Sequence, residues 1–335
     1  PWKRRRVVLP TYPFERVRCW YEPEGAVPRK APTGEGPSRH PLLGRRLHSA
    51  AEGQCFEVTL SGASPKYLTD HQVQGSPVMP GAAYVEQGLA AARQVFGDGT
   101  HALEDVSFHE AMFLPDGTTR FTQVLVAPNV GGMCNFQTHS APVESEESEP
   151  QWTHHAHGRL VHADTCVAPQ PPAQIDRDAF LTRVVDTKTQ REFYDLMATR
   201  GLAYGPAFQM LGDIRRSDHD AMAEVCLPDS IRTELTKYHL HPVLGDACFQ
   251  VMACVVPLEA DASYSPFTYM PVAVRRVHFH QHLSERRYGY GVRRSAAVRP
   301  RPETVEGDVC LVYVGGLVLV PFSGLRIRRL GGTGG

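Results

Sequence analysis

The sequence predicts an α+β protein made of two similar halves, each a curled antiparallel sheet around one long apolar helix. The chain has 335 residues, enough for about two domains of average size. Each half contains one long apolar segment with helical periodicity and about four or five segments with strand-like alternation. Two proline-rich stretches divide the chain. No repeat with a period of about 20 to 50 residues is visible, which argues against a solenoid.

Composition and charge exclude several classes of function. Hydrophobic residues make up 42% of the chain and charged residues 21%, values typical of a globular protein. The 35 Lys and Arg residues balance 36 Asp and Glu residues, so no basic field exists for nucleic acid. No apolar run approaches the roughly 18 residues that cross a membrane. The eight cysteines form no C-x-x-C pair, so we expect reduced thiols in a cytoplasmic protein.

Residues 1–39 are predicted to form a linker. The chain begins at Pro1, and the basic residues 3–6 are not followed by the apolar core of a signal peptide. A nuclear-type basic signal is the alternative interpretation of those four charges. Residues 22–39 are dense in proline and glycine, a composition that buries too little apolar surface to form an element. We therefore expect a piece of a longer polypeptide that starts with a linker or wrapped arm.

The first half is predicted over residues 40–165. It opens with a strand over residues 54–60, and a helix follows over residues 81–95. Pro80 precedes that helix, where its missing N–H costs nothing, and Gly97 ends the pattern. An acidic loop and four further strands complete this half, with the loop over residues 144–149 and the strands over residues 103–114, 118–127, 134–140 and 152–162.

A connecting linker is predicted over residues 166–185, and a second half over residues 186–330. Helices are expected over residues 189–199 and 241–255. The strands of this half are predicted over residues 210–216, 221–227, 270–280, 288–295, 308–314 and 317–328. The helix over residues 81–95 is apolar nearly all round, so a sheet should curl around it and bury it. Two such units in tandem form the double hot dog fold.

A loop with one histidine leads into the first long helix. Gly75, Pro77 and Pro80 restrict this loop, so it can hold the imidazole of His71 in place. Unpaired N–H groups at the start of the helix favour negative charge that develops on a bound carbonyl. By itself, however, His71 would more often be an ordinary hydrogen-bonded loop residue.

The second long helix carries a carboxyl group and an amide among apolar residues. Asp246 and Gln250 are four positions apart and share one helix face. A buried carboxyl group tends to keep its proton and can act as an acid, whereas a histidine near its free pKa of about 6.5 can accept a proton at neutral pH. His71 and Asp246 are therefore a candidate base and acid for a β-elimination that removes water without a metal.

Three motifs resemble the signature motifs of the dehydratase domains of modular polyketide synthases, and they occur in the same order. They are H-x-x-x-G-x-x-x-x-P from His71 to Pro80, Tyr204-Gly205-Pro206, and D-x-x-x-Q from Asp246 to Gln250 after His241-Pro242. The resemblance covers about residues 40–328, and residues 8–16 resemble the linker that follows the acyltransferase domain in such synthases. One departure is Gly245, where many relatives carry leucine. We expect from it a wider site or a differently aimed Asp246.

The resemblance implies an enzyme that converts a 3-hydroxyacyl thioester into an α,β-unsaturated thioester. The substrate would arrive on the phosphopantetheine arm of an acyl carrier protein, and the domain itself would bind no cofactor. It would contact neighbouring synthase domains and form a homodimer, with no nucleic acid or membrane as a partner. The residues with implied roles are His71 as base, Asp246 as acid, Gln250 and Tyr204 near the hydroxyl group, and Gly75, Pro80 and Gly81 around the loop and the thioester oxygen.

Each candidate residue also has a structural interpretation. Asp246 could cap its helix, Tyr204 could pack on a sheet, and Gln250 could satisfy a backbone group. Two histidine groups raise the question of a metal: His278, His280 and His282, and His154, His155, His157 and His162. A metal needs a further ligand from elsewhere, and arginines border the first group, so we expect no metal site. Cys248 and Cys254 are expected to be buried thiols.

Other functions stay open from the sequence alone. The same acid and base could move a double bond or close a cyclic ether. A module of this fold could also be non-catalytic and serve to dock carrier domains. A hot dog thioesterase needs a carboxylate that activates water, which these motifs do not resemble. The chain has no G-x-S-x-G elbow and no Walker loop, which argues against a serine hydrolase or a nucleotide-binding protein.

Overall fold

The computed structural model describes residues 40–50, 52–143, 150–165, 174–256, 268–278, 287–294, 302–313 and 315–330. The predicted linker over residues 1–39 and the acidic loop over residues 144–149 lie outside this part of the chain, as do His280 and His282. Within it, no helix is both long enough and apolar enough to cross a membrane. Its cysteines are free thiols, and Cys248 and Cys254 are buried as predicted.

Five α-helices occur among the described residues. They are α1 Gly81–Phe96, α2 Arg177–Leu181, α3 Gln190–Thr199, α4 Asp229–Arg232 and α5 Pro242–Cys254. Both predicted ends of α1 are confirmed, since Pro80 precedes its first turn and Gly97, with a φ of 89°, ends it. The short helix α2 lies inside the stretch predicted to be the connecting linker.

Sixteen β-strands occur in the same described part of the chain. They are β1 Arg45–Leu47, β2 Gln54–Ser61, β3 His71–Val73, β4 Ser76–Pro77, β5 Ala102–Phe108, β6 Thr119–Val126, β7 Met133–Pro142, β8 Thr153–Val161, β9 Asp186–Lys188, β10 Leu202–Tyr204, β11 Leu211–Arg216, β12 Asp220–Val225, β13 Tyr269–His278, β14 Arg287–Arg293, β15 Thr304–Tyr313 and β16 Val318–Arg329. The long strands fall where the alternation of apolar and polar residues predicts them.

Thirteen of these strands form one antiparallel sheet in the order β1-β2-β6-β7-β8-β5-β13-β16-β15-β14-β12-β11-β9. The pairing of β5 with β13 joins the two halves of the chain. Helix α1 packs against β5, β6 and β8, while α5 packs against β11, β12, β14 and β15. Each half of the sheet therefore wraps one apolar helix, which is the predicted double hot dog arrangement.

A second, smaller sheet brings the sequence motifs of the two halves together. It has the order β10-β3-β4, and β10 comes from the second half of the chain. Tyr204 of β10 is the direct register partner of His71 on β3. The motif histidine and the motif tyrosine are thus neighbours on two paired strands.

The strand predicted over residues 103–114 is six residues too long. Strand β5 ends at Phe108, and the following segment leaves the large sheet to run beside the end of the histidine loop. There the N–H of Met79 donates to the carbonyl of Met112 at 3.0 Å, and the N–H of Leu114 donates to the carbonyl of Pro77 at 2.8 Å. The apolar alternation of residues 109–114 is satisfied by this contact instead of by the sheet.

Candidate active site

His71 is held in one tautomer at the start of β3. Its Nδ1 lies 2.8 Å from the backbone carbonyl of Val78. A carbonyl oxygen can only accept a hydrogen bond, so Nδ1 carries the proton and Nε2 of the neutral ring keeps a lone pair. The side chain is buried, with 5% of its surface exposed. Because the segment over residues 76–78 folds back on His71, the loop predicted to position the imidazole does so through Val78.

Asp246 faces this lone pair from the other half of the chain. Its Oδ1 lies 3.9 Å from Nε2 of His71, and its residue surface is 4% exposed. Burial raises the pKa of this carboxyl group above its ordinary value, although His71 and the Gln250 amide oppose the shift. The two predicted groups are therefore close together and buried, and the carboxyl group tends to keep its proton.

Gln250 connects Asp246 to the protein behind it. Its Nε2 donates to Oδ2 of Asp246 at 2.9 Å and to the carbonyl of Phe208 at 3.2 Å. Its Oε1 lies 3.0 Å from the hydroxyl of Tyr194 on α3. The amide is thus fixed at both ends and leaves Oδ1 of Asp246 directed towards His71. This is the orienting contact that the spacing of Asp246 and Gln250 suggests.

Tyr204 lies against the imidazole of His71, with ring centroids 5.7 Å apart in an edge-to-face arrangement. Burial, and then the Asp246 carboxyl group, raise the pKa of Tyr204 well above its ordinary value, so its hydroxyl keeps the proton. Asp70 holds the turn that follows Tyr204, since its Oδ2 accepts from the N–H of Ala207 at 2.8 Å and its carbonyl accepts from the N–H of Gly205 at 2.7 Å. Asp70 is thus a positioning residue for Tyr204 and for His71, which directly follows it in the chain.

The three remaining predicted residues differ in how close they lie to the cavity of His71 and Asp246. Gly75 has a φ of 79° in the turn between β3 and β4, and a Cβ there would meet no atom within 4 Å. Pro80 precedes α1. Gly81 lines the cavity of His71 and Asp246, where a Cβ would approach Pro271 Cγ to 3.1 Å. Gly81 therefore keeps this cavity open, whereas Gly75 forms the turn.

Gly245 allows α1 and α5 to pack closely. A Cβ at this position would lie 2.9 Å from the Cβ of Ala82 and 3.4 Å from Leu240 Cδ2. The space that a side chain at position 245 would need is thus filled by Ala82 of the neighbouring helix. The expectation of a wider site at Gly245 is therefore not met at that point, because the missing side chain is used for a helix contact.

A buried carboxyl group on α1 anchors the segment that leads into α5. Glu86 accepts hydrogen bonds from the N–H groups of His239 and Leu240, each at 2.7 Å, and one of its oxygens lies 2.8 Å from Nε2 of His40. These bonds satisfy a charge-bearing group that is fully buried. They also fix the start of α5, and with it Asp246, relative to α1.

Two neighbouring cavities lie beside the acid and base and share part of their lining. The inner one, of about 50 Å³, is lined by His71, Tyr204, Asp246 and Gln250. The outer one, of about 370 Å³, is lined by residues that include Phe108, His109 and Arg328. Four residues line both cavities, namely Met79, Gly81, Met270 and Pro271. A chain-like ligand that enters the outer cavity would thus point towards His71 and Asp246.

Sequence reasoning misses the residues that support the site. Asp70, Glu86 and Tyr194 act through hydrogen bonds to groups that are distant in the sequence, and Val78 acts through its backbone carbonyl. Asp70 had one visible signal, since it directly precedes His71. Tyr194 had none, because an aromatic residue on an amphipathic helix such as α3 is normally read as part of the core.

The fold and the side chains of the candidate site together define a double hot dog domain with a buried histidine and aspartate. Comparisons with known proteins agree with this fold. A family model described as "Polyketide synthase dehydratase domain" matches residues 40–141, and one described as "Polyketide synthase dehydratase N-terminal domain" matches residues 169–335. The chain belongs to the polyketide synthase dehydratase family.

The chain is similar to parts of longer relatives and to a solved domain. It is 38% identical over 250 residues to "Polyketide synthase GfsE" of Streptomyces halstedii, covering 72% of this chain and 6% of the relative. It is 31% identical over 339 residues to a phthioceranic/hydroxyphthioceranic acid synthase of Mycobacterium bovis, covering 98% of this chain and 15% of the relative. The dehydratase domain from the CurF module of curacin polyketide synthase superposes with a TM-score of 0.76 at 25% identity, covering 87% of this chain and 100% of that domain. The chain thus spans a small fraction of its curated relatives.

Proposed function

We propose that this polyketide synthase dehydratase domain removes water from a 3-hydroxyacyl thioester, with His71 as the base and Asp246 as the acid. The observation that carries the proposal is the 3.9 Å approach of His71 Nε2 to Asp246 Oδ1 in a buried cavity. One group is an imidazole whose Nδ1 is bonded to the Val78 carbonyl, which leaves Nε2 to face Asp246, and the other is a carboxyl group whose pKa is raised by burial. An elimination of water needs both a base and an acid within reach of the substrate.

The reaction balances with these two groups alone. His71 Nε2 takes the proton from the carbon next to the thioester carbonyl, and the electron pair of that C–H bond forms the new double bond. The bond from the β-carbon to its hydroxyl group breaks, and Asp246 supplies a proton to the departing oxygen, so water leaves. His71 is then protonated and Asp246 ionised, and return of one proton across the short gap restores the starting state.

The thioester carbonyl is expected to bind at the start of α1. Gly81 presents its backbone to both cavities because it has no side chain. The first N–H groups of a helix have no partner within the helix, so they can stabilise the negative charge that develops on the thioester oxygen. Tyr204, which keeps its proton, is available to hydrogen-bond the β-hydroxyl group.

The substrate is expected to arrive through the outer cavity. Its volume of about 370 Å³ suits an extended acyl chain or the pantetheine arm of an acyl carrier protein. A carrier-bound substrate explains why the acid and base lie at the end of a passage and not on the surface. The length of the acyl chain and the configuration of the hydroxyl group are to be determined with a panel of substrates.

The test is incubation of the chain with 3-hydroxyacyl thioesters of both configurations, followed by product identification by mass spectrometry. We expect loss of water from one configuration, and loss of that activity in His71→Phe and Asp246→Ala. His48→Phe is a matched control, since His48 is exposed and lines neither cavity of the site. Full turnover by both active-site variants would refute the mechanism. A product with a shifted double bond or a cyclic ether would redirect the assignment.

A further inference from the structure

A cluster of imidazole rings lies outside the acid and base pair. His109 follows β5, while His154 and His157 belong to β8. One ligand atom from each of these three rings lies within 4.8 Å of the other two. Nε2 of His109 and Nδ1 of His157 are 2.7 Å apart. We call these three residues the histidine cluster.

A β-bulge places two members of the cluster on one face of β8. His154 and His157 are three positions apart, so a regular strand would direct them to opposite faces. The register of β8 with β7 shifts at this point and skips His155, which is buried. The ring nitrogens of His155 lie 2.7 Å from the Ser140 hydroxyl and 2.8 Å from the Glu110 carbonyl. The bulge thus re-aims His154 and His157 to the same side.

The third member comes from another part of the chain. The sequence predicts no metal site because the strand histidines need a further ligand from elsewhere. His109 meets that condition: its backbone N–H donates to the carbonyl of His155 at 2.8 Å, which holds it beside β8. A separation of 45 positions between His109 and His154 hides this contact in the sequence.

We propose that His109, His154 and His157 bind a divalent transition metal ion such as Zn²⁺. Imidazole nitrogens bind zinc at about 2.0–2.1 Å, which places ligand atoms about 3.0–3.4 Å apart. To bind the ion, the nitrogens of His109 and His157 must move slightly apart, and the more distant pairs of nitrogens must move closer together. The three rings are exposed or half-buried, so side-chain rotations can make these changes. The carboxylate of Glu110, which is exposed next to His109, and water can complete the coordination.

The histidine cluster lies at the wall of the outer cavity. His109 lines that cavity together with Met79 and Gly81, which also line the cavity of His71 and Asp246. An ion on His109 therefore narrows the route to the acid and base, and Zn²⁺ slows turnover reversibly. This consequence rests on the proposed function, whereas the binding of the metal does not.

Calorimetric titration of the chain with ZnCl₂ tests the binding. We expect one site, whose Zn²⁺ affinity falls at least about tenfold in His109→Ala and in His157→Ala. Loss of a residue that only hydrogen-bonds to a metal ligand already lowers metal affinity about 10–100-fold, so loss of a ligand itself should cost at least as much. His48→Ala, at an exposed histidine outside the cluster, should bind like the unchanged chain. With CoCl₂ as the probe, the visible absorption of bound cobalt should be lost in the same two variants. Equal Zn²⁺ affinity in all three variants, or no binding by the unchanged chain, would overturn the proposal.

Turnover with and without ZnCl₂ tests the consequence. We expect inhibition that EDTA reverses in the unchanged chain and that is absent in His157→Ala, whose residue does not line the outer cavity. Inhibition that persists in His157→Ala would contradict narrowing by this site. Because calorimetry is independent of turnover, an inactive chain that still binds Zn²⁺ through the cluster would refute the proposed function and support the metal site.

Discussion

Replacement of Gly245 by leucine tests whether close packing of α1 and α5 sets the geometry of the acid and base. The added Cβ would lie 2.9 Å from Ala82 Cβ, 3.4 Å from Leu240 Cδ2 and 3.7 Å from Phe322 Cζ. Carbon atoms make favourable contact at about 3.5–4.0 Å, so the two helices must separate by about 0.6 Å or more. Ala82 Cβ is attached directly to the backbone and cannot rotate away.

The loss of stability follows from two opposing effects. Overpacking of a core costs about 1–3 kcal/mol, and a leucine with three further carbons beyond Cβ belongs near the upper end. Leucine also recovers about 0.8 kcal/mol of helix propensity relative to glycine. The net loss is about 2 kcal/mol in the free energy of unfolding. For a large domain, at about 2 °C for each kcal/mol, we expect the Tm to fall by about 4 °C.

The effect on turnover should exceed the effect on stability. Gly245 precedes Asp246, so a shift of α5 lengthens the 3.9 Å between Asp246 Oδ1 and His71 Nε2. A misplacement of about 1 Å at a reacting centre costs roughly a hundredfold in rate, so we expect turnover to fall roughly ten- to a hundredfold. Thermal unfolding and the rate of dehydration of a 3-hydroxyacyl thioester are the two measurements.

Two controls isolate the helix contact. Gly212→Ala adds a Cβ whose nearest neighbour is 3.6 Å away, so its stability should change by less than about 0.5 kcal/mol. Adding Ala82→Gly to Gly245→Leu removes the Cβ of Ala82, with which the leucine collides. The double variant should therefore be more stable than the sum of the two single effects predicts, by at least about 0.5 kcal/mol. Unchanged Tm and turnover in Gly245→Leu would refute the packing argument.

Three further substitutions have defined outcomes. Gln250→Leu removes the amide that donates to Asp246, so the pKa of Asp246, already raised by burial, rises further. A pH–rate profile should show a roughly tenfold lower rate and an alkaline limb at higher pH. An alkaline limb at the same pH as in the unchanged chain would argue against Asp246 as the acid. Asp70→Ala leaves the Ala207 N–H without its acceptor and should lower the free energy of unfolding by about 1.5–3 kcal/mol, measured by urea denaturation. Asp70→Asn should lower it less. Equal losses of stability in the two variants would argue against a role for the hydrogen bond from Ala207 to Asp70. Burial raises the pKa of Asp220, but hydrogen bonds from three side chains outweigh burial and lower it overall. The ionised carboxylate therefore stabilises the fold above its unfolded pKa of about 3.9, and this stabilisation is lost as the pH falls below that value. The Tm of Asp220→Asn should vary less with pH between about pH 5 and pH 3 than that of the unchanged chain, and the same acid dependence in both would contradict this.

Local patterns predicted most elements of this fold, and their failures have physical causes. The ends of α1 followed from Pro80 and Gly97 because these residues act on their own backbone. The strand over residues 103–114 was predicted too long because its last six residues pair with the segment over residues 77–79, a contact that apolar alternation does not encode. The bulge in β8 was equally invisible, since it depends on the register with β7.

The candidate site divides in the same way. The residue types, their order and their spacing predicted His71, Asp246, Gln250 and Tyr204 as site residues, because such motifs are short stretches of sequence. The residues that support them were not predicted, because Glu86, Asp70 and Tyr194 act through hydrogen bonds to residues far away in the sequence. Likewise, the absence of a side chain at Gly245 was visible, but its use depended on Ala82 of the other helix.

The sequence by itself determined two buried apolar helices, the strands around them and the family of the chain, because periodicity and motifs are local properties. Only the tertiary structure decided that His71 Nε2 and Asp246 Oδ1 lie 3.9 Å apart, that Tyr204 is the strand partner of His71, and that His109 joins two histidines of β8. Each of these contacts joins residues far apart in the chain. Their distances follow from strand register and helix packing, which form only when the chain folds.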